Sequence, residues 1–404
     1  MSTSLLYHAF GIVGYRHVHT KFHEGRVIFA IEQPRERLRC SACQGDDLWV
    51  HGHVEREFRA TPIGGKPVIV RCDVPRVYCR DCGLTRQVKV GFAEPMKRYT
   101  RSFERYALEL SRHMTIKDVA EHLQVSWDTI KEIQAKSLTR RFGKPKLSKL
   151  KQIAIDEIAV GKGHHYLTVV LNLVSGAVVF VGDGKRTEAL EPFWQRLRRS
   201  GAKVRAVATD MSKAYIRAVR DNLPKAIHVF DHFHVVKLFN DKLSAFRREL
   251  YHQALSDSER KVLKGTRWLL LKNPENLDDA RNERERLQQA LDLNTPLALA
   301  YYLKEDLRQI WQQPDKRTAR LVLKDWLARA RVSGVRMLEQ FADTLEDHQA
   351  GILAYYDAPI STGPLEGTNT KIQAMKRQAY GFRDHAFFKL KILGIHETQH
   401  ALVG

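Results

Sequence analysis

The chain has 404 residues, with 67 Lys or Arg against 46 Asp or Glu, so its formal net charge is +21. A hydrophobic fraction of 43% excludes a wholly disordered chain, and the length predicts about two to four domains. A charge this positive favours a polyanionic partner, most often nucleic acid. We expect neither a membrane span nor a signal peptide, and five cysteines are too few for a secreted disulfide scaffold. The sequence therefore predicts a soluble, intracellular, multidomain protein that binds DNA or RNA.

Two CxxC pairs lie near the N-terminus, Cys40 with Cys43 and Cys79 with Cys82. A CxxC turn directs two thiolates at one ion, and two such turns complete the tetrahedral site that Zn²⁺ prefers. We therefore predict a zinc-ribbon domain over residues 1–95 that binds one structural zinc. The alternative is that these are incidental or buried thiols that bind no metal.

Residues 96–145 are predicted to form a helix-turn-helix DNA-binding domain that ends in a basic linker. Thr115 and Ser126 each precede a short amphipathic segment, as helix N-caps do, and Gln124-Val125 provides the turn between them. The alternative is an ordinary three-helix bundle. In a helix-turn-helix the second helix enters the major groove of DNA. The residues predicted to contact DNA are Asp128, Lys131 and Gln134, which we expect to be exposed on that helix, and Arg140 and Arg141 after them.

The most basic run of the chain extends from Lys131 to Lys151 and contains the helix-breaking stretch Gly143-Lys144-Pro145. We interpret this run as a linker between domains. A solvated helix end followed by a connector is an equally good interpretation, and the two are compatible.

After this run the pattern changes to alternating strands and helices, and then to helices alone. Leu and charged residues recur at three and four positions from about 235 to 355, which indicates a helical region. One further long helix begins after Gly363-Pro364. Before the helical region, strands are predicted at 152–156, 166–173, 176–181, 204–209 and 227–230, and helices at 188–199 and 212–222.

Three acidic residues stand at positions where a fold displays functional groups. Asp156 and Asp210 each follow an apolar strand, and the strand tips of α/β sheets are such positions. Glu366 lies in the first turn of the last helix, where an acid also interacts favourably with the helix dipole. Each residue alone is explained by a local structural role. Together, an Asp on the first strand, an Asp on the fourth and a Glu on a late helix have the order of a ribonuclease-H-like fold, which gathers three carboxylates around two Mg²⁺ ions for phosphoryl transfer.

The chain resembles the DDE transposases of the ISL-three group of bacterial insertion sequences over nearly its whole length. The resemblance rests on the order zinc ribbon, helix-turn-helix and catalytic domain, and on local matches around the acids. It implies that Asp156, Asp210 and Glu366 are the catalytic triad and hold two catalytic Mg²⁺. We leave Glu157 out because neighbouring side chains of a strand point to opposite faces. The matching stretches are Ile155-Asp156-Glu157, Thr209-Asp210-Met211-Ser212-Lys213-Ala214-Tyr215, Leu365-Glu366-Gly367-Thr368-Asn369, Lys371-Ile372 and Tyr380-Gly381-Phe382-Arg383.

The resemblance also implies supporting residues around the triad. The stretch Asp231-His232-Phe233-His234 fits the D-x-x-H pattern of several DDE families, which implies that His234, and with it Asp231, lies near the site and helps to place DNA or a proton. A structural His–Asp pair at a strand end is the alternative. Cations that follow Glu366 on its helix are candidates to hold DNA phosphates, or else form a solvated basic face. These cations are Lys371, Lys376 and Arg377.

The expected fold is a multidomain α/β protein in which an all-helical insertion interrupts a ribonuclease-H-like catalytic core. The core comprises residues 150–234 and a C-terminal helix within 356–404, the insertion comprises 235–355, and the zinc-ribbon and helix-turn-helix domains precede them. The resemblance implies a DNA transposase that binds terminal inverted repeats, hydrolyses a phosphodiester at each end and joins the freed 3′-OH to target DNA. It further implies a dimer or higher assembly on DNA, in the bacterial cytoplasm with the nucleoid. The alternatives are a ribonuclease-H-like nuclease or resolvase, and a non-catalytic DNA-binding regulator that is a decayed transposase.

Overall fold

The computed structural model of the protein describes residues 4–161 and 165–396. The chain divides into two compact units. The first unit comprises Met1–Lys144 and Ala374–Gly404, and the second comprises Pro145–Gln373. Within the described ranges, no helix has the length and apolar character needed to span a bilayer.

A five-stranded sheet forms the N-terminal part of the first unit. Its elements are α1 (Leu5–Phe10), β1 (Arg16–His23), β2 (Arg26–Glu32), β3 (Leu48–Ile63), β4 (Lys66–Cys79) and β5 (Thr85–Gln87). The strand order is β1-β2-β4-β3 with β5 beside β4, and only the β2–β4 pair is parallel among these described strands. Val68 and Val70 of β4 are buried on one face, as the two-residue period of a strand requires. Gly64 and Gly65, both with positive φ, close the hairpin between β3 and β4.

Three helices follow this sheet: α2 (Arg101–Leu110), α3 (Ile116–Leu123) and α4 (Trp127–Phe142). Thr115 caps α3 in a capping box with Asp118, because each side chain accepts a hydrogen bond from the other residue's backbone N–H. Ser126 caps α4 by accepting from the N–H of Thr129. Gln124 makes the turn between them with a left-handed φ of 50°. Both caps and the turn therefore lie where the sequence predicts them.

The helix α4 is longer than predicted. It continues to Phe142, so the first half of the basic run lies in a helix and not in a linker. The linker interpretation is wrong for that half, and the helix-end alternative is correct. The cause is packing, since Ile133, Leu138 and Phe142 recur at helical spacing and are all buried.

The second unit contains a mixed five-stranded sheet with two helices. Its elements are β6 (Gln152–Gly161), β7 (His165–Asn172), β8 (Val178–Asp183), α5 (Glu191–Ser200), β9 (Ala206–Thr209), α6 (Lys213–Asn222) and β10 (Ile227–Phe230). The strand order is β10-β9-β6-β7-β8. Strands β6, β9 and β10 are parallel, and β7 is antiparallel to both of its neighbours. The near-continuous apolar sequence of β6 and β9 fits central strands that are covered on both faces.

A helical region follows the sheet in the second unit. Its core contains Phe239, Trp326 and Phe341, whose ring centroids lie 4.9 to 6.1 Å apart in edge-to-face contacts. The Trp326 indole N–H donates to the Leu303 carbonyl at 2.8 Å, so this buried ring leaves no polar atom unpaired. The helices are α7 (His232–Gln253), α8 (Asp257–Gly265), α9 (Glu283–Leu293), α10 (Thr295–Arg308), α11 (Lys316–Arg331), α12 (Arg336–Asp347) and α13 (Gln349–Leu353).

The last part of the chain forms two helices, α14 (Gly363–Gln378) and α15 (His385–Leu393). We expected one long helix here, and the difference arises because Tyr380 and Gly381 adopt left-handed φ angles of 51° and 98° that end α14. Helix α15 packs on α4, and its Phe387 is buried in the apolar cluster of α2, α3 and α4. The core of the helix-turn-helix thus includes a residue from the C-terminal segment.

Replacing Phe387 with Ala tests this contribution. The change removes a ring that is only 4% exposed, and we expect it to destabilise the first unit by about 3 kcal/mol. Amide hydrogen exchange in α3 and α4 should then be about a hundredfold faster. The Phe22→Ala change removes a ring that is 77% exposed and should leave these rates unchanged. Equal exchange rates in both variants and the wild type would contradict the packing role of Phe387.

A second prediction concerns His228 on β10, whose ring nitrogen Nε2 lies 2.7 Å from the Thr209 hydroxyl. Burial lowers the pKa of His228 to about 4. Because the folded protein excludes a proton that the unfolded chain binds below about pH 6.5, stability should fall as the pH drops from 6.5 towards 4. Between pH 7.5 and 4.5, the free energy of unfolding measured in urea should fall by roughly 2–3 kcal/mol more for the wild type than for His228→Gln. Parallel pH profiles for the two proteins would show that His228 is not the titrating group.

Candidate functional site

Two of the predicted acids lie at the same end of neighbouring strands. Strand β6 is parallel to β9, and Ala154 lies opposite Ala208. Asp156 and Asp210 each follow these partners by two residues, so Asp156 lies within β6 just beyond its pairing with β9, and Asp210 follows the carboxyl end of β9. The predicted end of the first strand at residue 156 is wrong, because β6 stays paired with β7 as far as Gly161. Glu366 lies in the first turn of α14 and is partly buried. The three carboxylates are close enough to influence one another's ionisation. The charge of Asp210 helps to raise the pKa of Asp156, and the charge of Asp156 helps to raise the pKa of Glu366.

Asp156 is the most enclosed of the three acids, with 13% of its side chain exposed. Its Oδ2 accepts a hydrogen bond of 2.9 Å from Asn369 Nδ2, and its Oδ1 lies 4.0 Å from His234 Nε2. Burial raises the pKa of Asp156 to about 6 against the opposing attraction of His234. Burial likewise raises the pKa of both Asp210 and Glu366. The ionised form of each of these three acids is therefore less favourable than in water, and a bound cation would stabilise it.

His234 is held in place by a fully buried carboxylate. Its Nδ1–H donates to Asp231 Oδ2 at 3.3 Å, and the other carboxylate oxygen accepts from the Thr362 backbone N–H at 3.0 Å. These hydrogen bonds outweigh burial and lower the pKa of Asp231. For His234, burial alone would lower the pKa, but the hydrogen bond to Asp231 and the charge of Asp156 raise it. The arrangement leaves Nε2 of His234 directed towards Asp156.

The closest set of oxygen and nitrogen ligands differs from the predicted triad. Asp231, His234 and Glu366 offer ligand atoms that all lie within 4.8 Å of one another. Asp156, Asp210 and Glu366 as a set do not reach this spacing. The Asp231–His234 pair is therefore more central to the site than its supporting role in the sequence analysis indicated.

Two residues of the site were missed by sequence reasoning. Asn369 binds Asp156, and its Oδ1 is buried without a hydrogen-bond partner among the described residues. The available signal was its position three residues after Glu366, which places both side chains on one face of a helix. Thr362 was missed because its partners are distant in the chain: its backbone N–H donates to Asp231, and its hydroxyl lies 3.4 Å from His234 Nδ1.

The four predicted zinc ligands lie together in the first unit, with all four sulfur atoms within 4.8 Å of one another. The Cys40–Cys82 and Cys43–Cys79 sulfur pairs are 3.7 and 3.5 Å apart. A tetrahedron with Zn–S bonds of about 2.3 Å has edges of about 3.8 Å, so the spacing fits Zn²⁺. Hydrogen bonds from the N–H groups of Cys43 and Ala42 lower the pKa of Cys40 to about 6, which favours the thiolate that metals bind, whereas burial and hydrogen bonds between the thiols raise the pKa of the other three cysteines of the cluster. The cluster therefore indicates a structural zinc site.

One of the five predicted DNA contacts on α4 is wrong. Gln134 is 1% exposed and faces the helical core, and neither its Oε1 nor its Nε2 has a hydrogen-bond partner in the described ranges. Lys131 is only 25% exposed at its side chain and forms an ion pair of 2.7 Å with Asp384. The prediction failed because α15 covers a face of α4 that the helix-turn-helix pattern alone leaves open. The exposed members of the predicted set are Asp128, Arg140 and Arg141.

The cations predicted after Glu366 follow one another along α14. Lys371 and Arg377 are exposed, and Lys376 is partly buried. Lys371 belongs to the second unit, whereas Lys376 and Arg377 belong to the first. The predicted basic face is therefore divided between the two units.

Comparison with protein families gives three matches that together span most of the chain. Residues 153–392 match the DDE transposase model of the ISL3 family, described as Transposase. Residues 88–136 match the helix-turn-helix domain of transposase family ISL3. Residues 36–82 match the zinc-finger of transposase IS204/IS1001/IS1096/IS1165.

Curated relatives agree with these matches. The transposase for insertion sequence element IS1001 of Bordetella parapertussis is 32% identical over 91% of this chain and 91% of its own length. The transposase for insertion sequence element IS1557 of Mycobacterium tuberculosis is 28% identical over 94% of this chain and 91% of its own. A solved Drosophila P element transposase strand transfer complex aligns with 74% of this chain and 92% of its own, at 12% identity and a TM-score of 0.35. The chain belongs to the ISL3 family of DNA transposases.

Proposed function

We propose that this transposase binds the terminal inverted repeats of its insertion sequence and carries out DNA hydrolysis and strand transfer at the acids of the second unit. The observation that supports this is the grouping of partly buried acids just beyond the point where β6 and β9 stop pairing, beside Glu366 of α14. All three acids have a raised pKa, as expected for a site that holds cations. We infer that Asp156, Asp210 and Glu366 form the triad.

We infer a ribonuclease-H-like catalytic core for the second unit. The sheet order β8-β7-β6-β9-β10, with only β7 reversed, supports this fold. The first acid lies on the first strand of this sheet, and the second acid follows the fourth. Helices α7 to α13 intervene between the last strand and α14, as an insertion domain would.

The donor set fits two Mg²⁺ ions, because carboxylate oxygens are the ligands that this hard cation prefers. When bound, such ions activate the attacking oxygen and stabilise the leaving one in an in-line phosphoryl transfer. Asp156 and Asp210 would hold them, and Glu366 would complete the ligand set. The hydrogen bond from Asn369 fixes Oδ2 of Asp156, and Oδ1 faces His234 Nε2 at 4.0 Å.

We propose that His234 acts on DNA or on a proton through its Nε2. The contact of Nδ1 with Asp231 fixes the imidazole ring and keeps Nε2 towards Asp156. A protonated His234 would offer its Nε2–H to a phosphate oxygen beside Asp156. We also propose that Lys371, Lys376 and Arg377 on α14 bind DNA phosphates.

We propose two chemical steps: a hydrolysis, which breaks one phosphodiester bond, and a transesterification, which forms one phosphodiester bond as it breaks another. In the first step water attacks phosphorus at the element end, the P–O3′ bond breaks and a 3′-OH is released. In the second step this hydroxyl attacks a target phosphodiester, and a new P–O3′ bond forms as the target P–O3′ bond breaks. Because both ends must be held together before joining, we propose a dimer or higher assembly on DNA. The DNA substrate places the enzyme with the nucleoid in the bacterial cytoplasm.

Replacing single acids tests the triad. Asp156→Asn and Glu366→Gln should each lower joining of a labelled element end to supercoiled target DNA in Mg²⁺ at least about a thousandfold, because several kcal/mol of transition-state stabilisation would be lost. Glu157→Gln is the matched control, since Glu157 accepts a hydrogen bond from the Tyr215 hydroxyl and a Gln oxygen accepts the same bond. This control should join DNA within about threefold of the wild type.

The same assay separates the competing functions. Joining by Asp156→Asn would contradict the triad. Wild-type protein that cuts ends without joining them would indicate a nuclease or resolvase, and protein that binds ends without cutting would indicate a regulator.

We also propose that Cys40, Cys43, Cys79 and Cys82 bind one structural Zn²⁺. The Cys82→Ser change removes one of the four ligands, so zinc in the purified protein should fall from one to below about 0.2 per chain. Cys72 is buried away from the cluster, and Cys72→Ala should keep one zinc per chain. Elemental analysis by mass spectrometry measures both. Wild-type protein without zinc, or full zinc in Cys82→Ser, would contradict this site.

A further inference from the structure

A groove runs beside the helix-turn-helix in the first unit and has a volume of about 1260 Å³. One wall is formed by the start of α3 and by the first turn of α4, including Trp127 and Lys131. The other wall is the loop between α14 and α15, residues 379–384, which we call the C-terminal loop. The groove therefore lies next to the end of α4 that a helix-turn-helix directs at base edges.

The C-terminal loop is fixed to the helical core at its far end. Asp384 pairs with Lys131 at 2.7 Å and caps α15 by accepting from the N–H of Phe387. The ring of Phe382 stacks on Phe388 with centroids 4.5 Å apart. These contacts hold the loop in one position against α4, so its outward side chains are presented in a defined place.

Tyr380 has a conformation that the fold alone does not explain. The N–H of Gly381 donates to the Lys376 carbonyl and the N–H of Tyr380 to the Arg377 carbonyl, which are the two bonds of a Schellman helix end. Tyr380 occupies the left-handed position of this motif, with φ 51°, where Gly is the favoured residue. Its side chain is fully exposed, at 101%. Tyr380 therefore makes the left-handed backbone at this helix end less favourable than Gly would, and its exposed ring adds no packing energy within the described protein.

The charge of the loop indicates the kind of partner. Arg383 is exposed and has no ion pair within the described ranges. Lys376 and Arg377 precede the loop by a few residues on α14, so three cations surround Tyr380 in sequence. An exposed aromatic ring among cations matches a nucleic-acid contact, because the ring packs on sugar or base while the cations pair with phosphates.

We propose that the C-terminal loop is a second DNA-contacting element of the first unit, which binds the terminal-repeat duplex next to the base pairs contacted by α4. In this arrangement Tyr380 packs against the DNA and Arg383 pairs with a phosphate. This proposal rests on the proposed binding of terminal repeats by the helix-turn-helix. It assigns to the C-terminal loop a role separate from that of the triad.

The test is fluorescence anisotropy of the full-length protein with a labelled terminal-repeat duplex, and with an unrelated duplex of equal length. Tyr380→Gly and Arg383→Ala should each weaken binding to the terminal repeat at least about fivefold. Arg383→Ala should also reduce the slope of log affinity against log salt by about one. The melting temperature of Tyr380→Gly should stay the same or rise, because Gly is favoured at this helix end.

Two variants serve as controls. Phe22→Ala removes an exposed ring from β1, and Arg199→Ala removes an exposed cation of the second unit; both should bind within twofold of the wild type. Equal binding by Tyr380→Gly, Arg383→Ala and wild type would overturn the loop's role while leaving terminal-repeat binding intact. A loss of binding in Tyr380→Gly that accompanies a lower melting temperature would also overturn it. Wild-type protein that does not prefer the terminal repeat would instead overturn the proposed function on which the loop's role rests.

Discussion

Burial of like charges at one end of the β6–β9 pair is the constraint around which the second unit is organised. Three carboxylates with raised pKa values are unfavourable as anions in a partly dry site, and nothing in hydrophobic packing compensates them. The described neighbours offset this only in part: the Asn369 amide donates to Asp156, the Ser212 N–H donates to Asp210, and the imidazole of His234 lies near Asp156. Such a site is stable enough to fold and still favours added positive charge, which is the property that metal-dependent phosphoryl transfer requires.

The same constraint explains why Asp231 is more buried than the acids it supports. An exposed carboxylate would hold His234 weakly, because solvent competes for the hydrogen bond. A fully buried one is costly unless both oxygens are satisfied, and here the Thr362 N–H and His234 satisfy them. The residue before α14 is therefore joined to the buried Asp231 carboxylate by the backbone N–H of Thr362, and the Thr362 hydroxyl also lies 3.4 Å from His234 Nδ1.

Features that depend on local periodicity could be predicted from the sequence. Prediction failed for residues whose environment is formed by segments that are distant in the chain. The end of β9 before Asp210, the helix caps Thr115 and Ser126 and the cysteine cluster all follow from spacing within a short stretch. The predicted strand end at Asp156 is wrong, because pairing with β7 extends β6 beyond it. Gln134 was misassigned because its burial depends on tertiary packing. Asn369 was overlooked because its partner lies 213 residues away in the chain.

The packing of α15 on α4 makes the DNA-binding unit depend on the end of the chain. The apolar cluster that holds α2, α3 and α4 together is incomplete without Phe387, and the pairing of Lys131 with Asp384 joins the same two segments. A polypeptide that stops before α15 would expose this apolar face of α4 and would leave the C-terminal loop without the Phe388 ring on which Phe382 stacks. Because α14 also carries Glu366, one continuous stretch after residue 362 supplies parts of both units. The helix-turn-helix and the acidic site therefore become complete only when this last stretch of the chain has been made and folded.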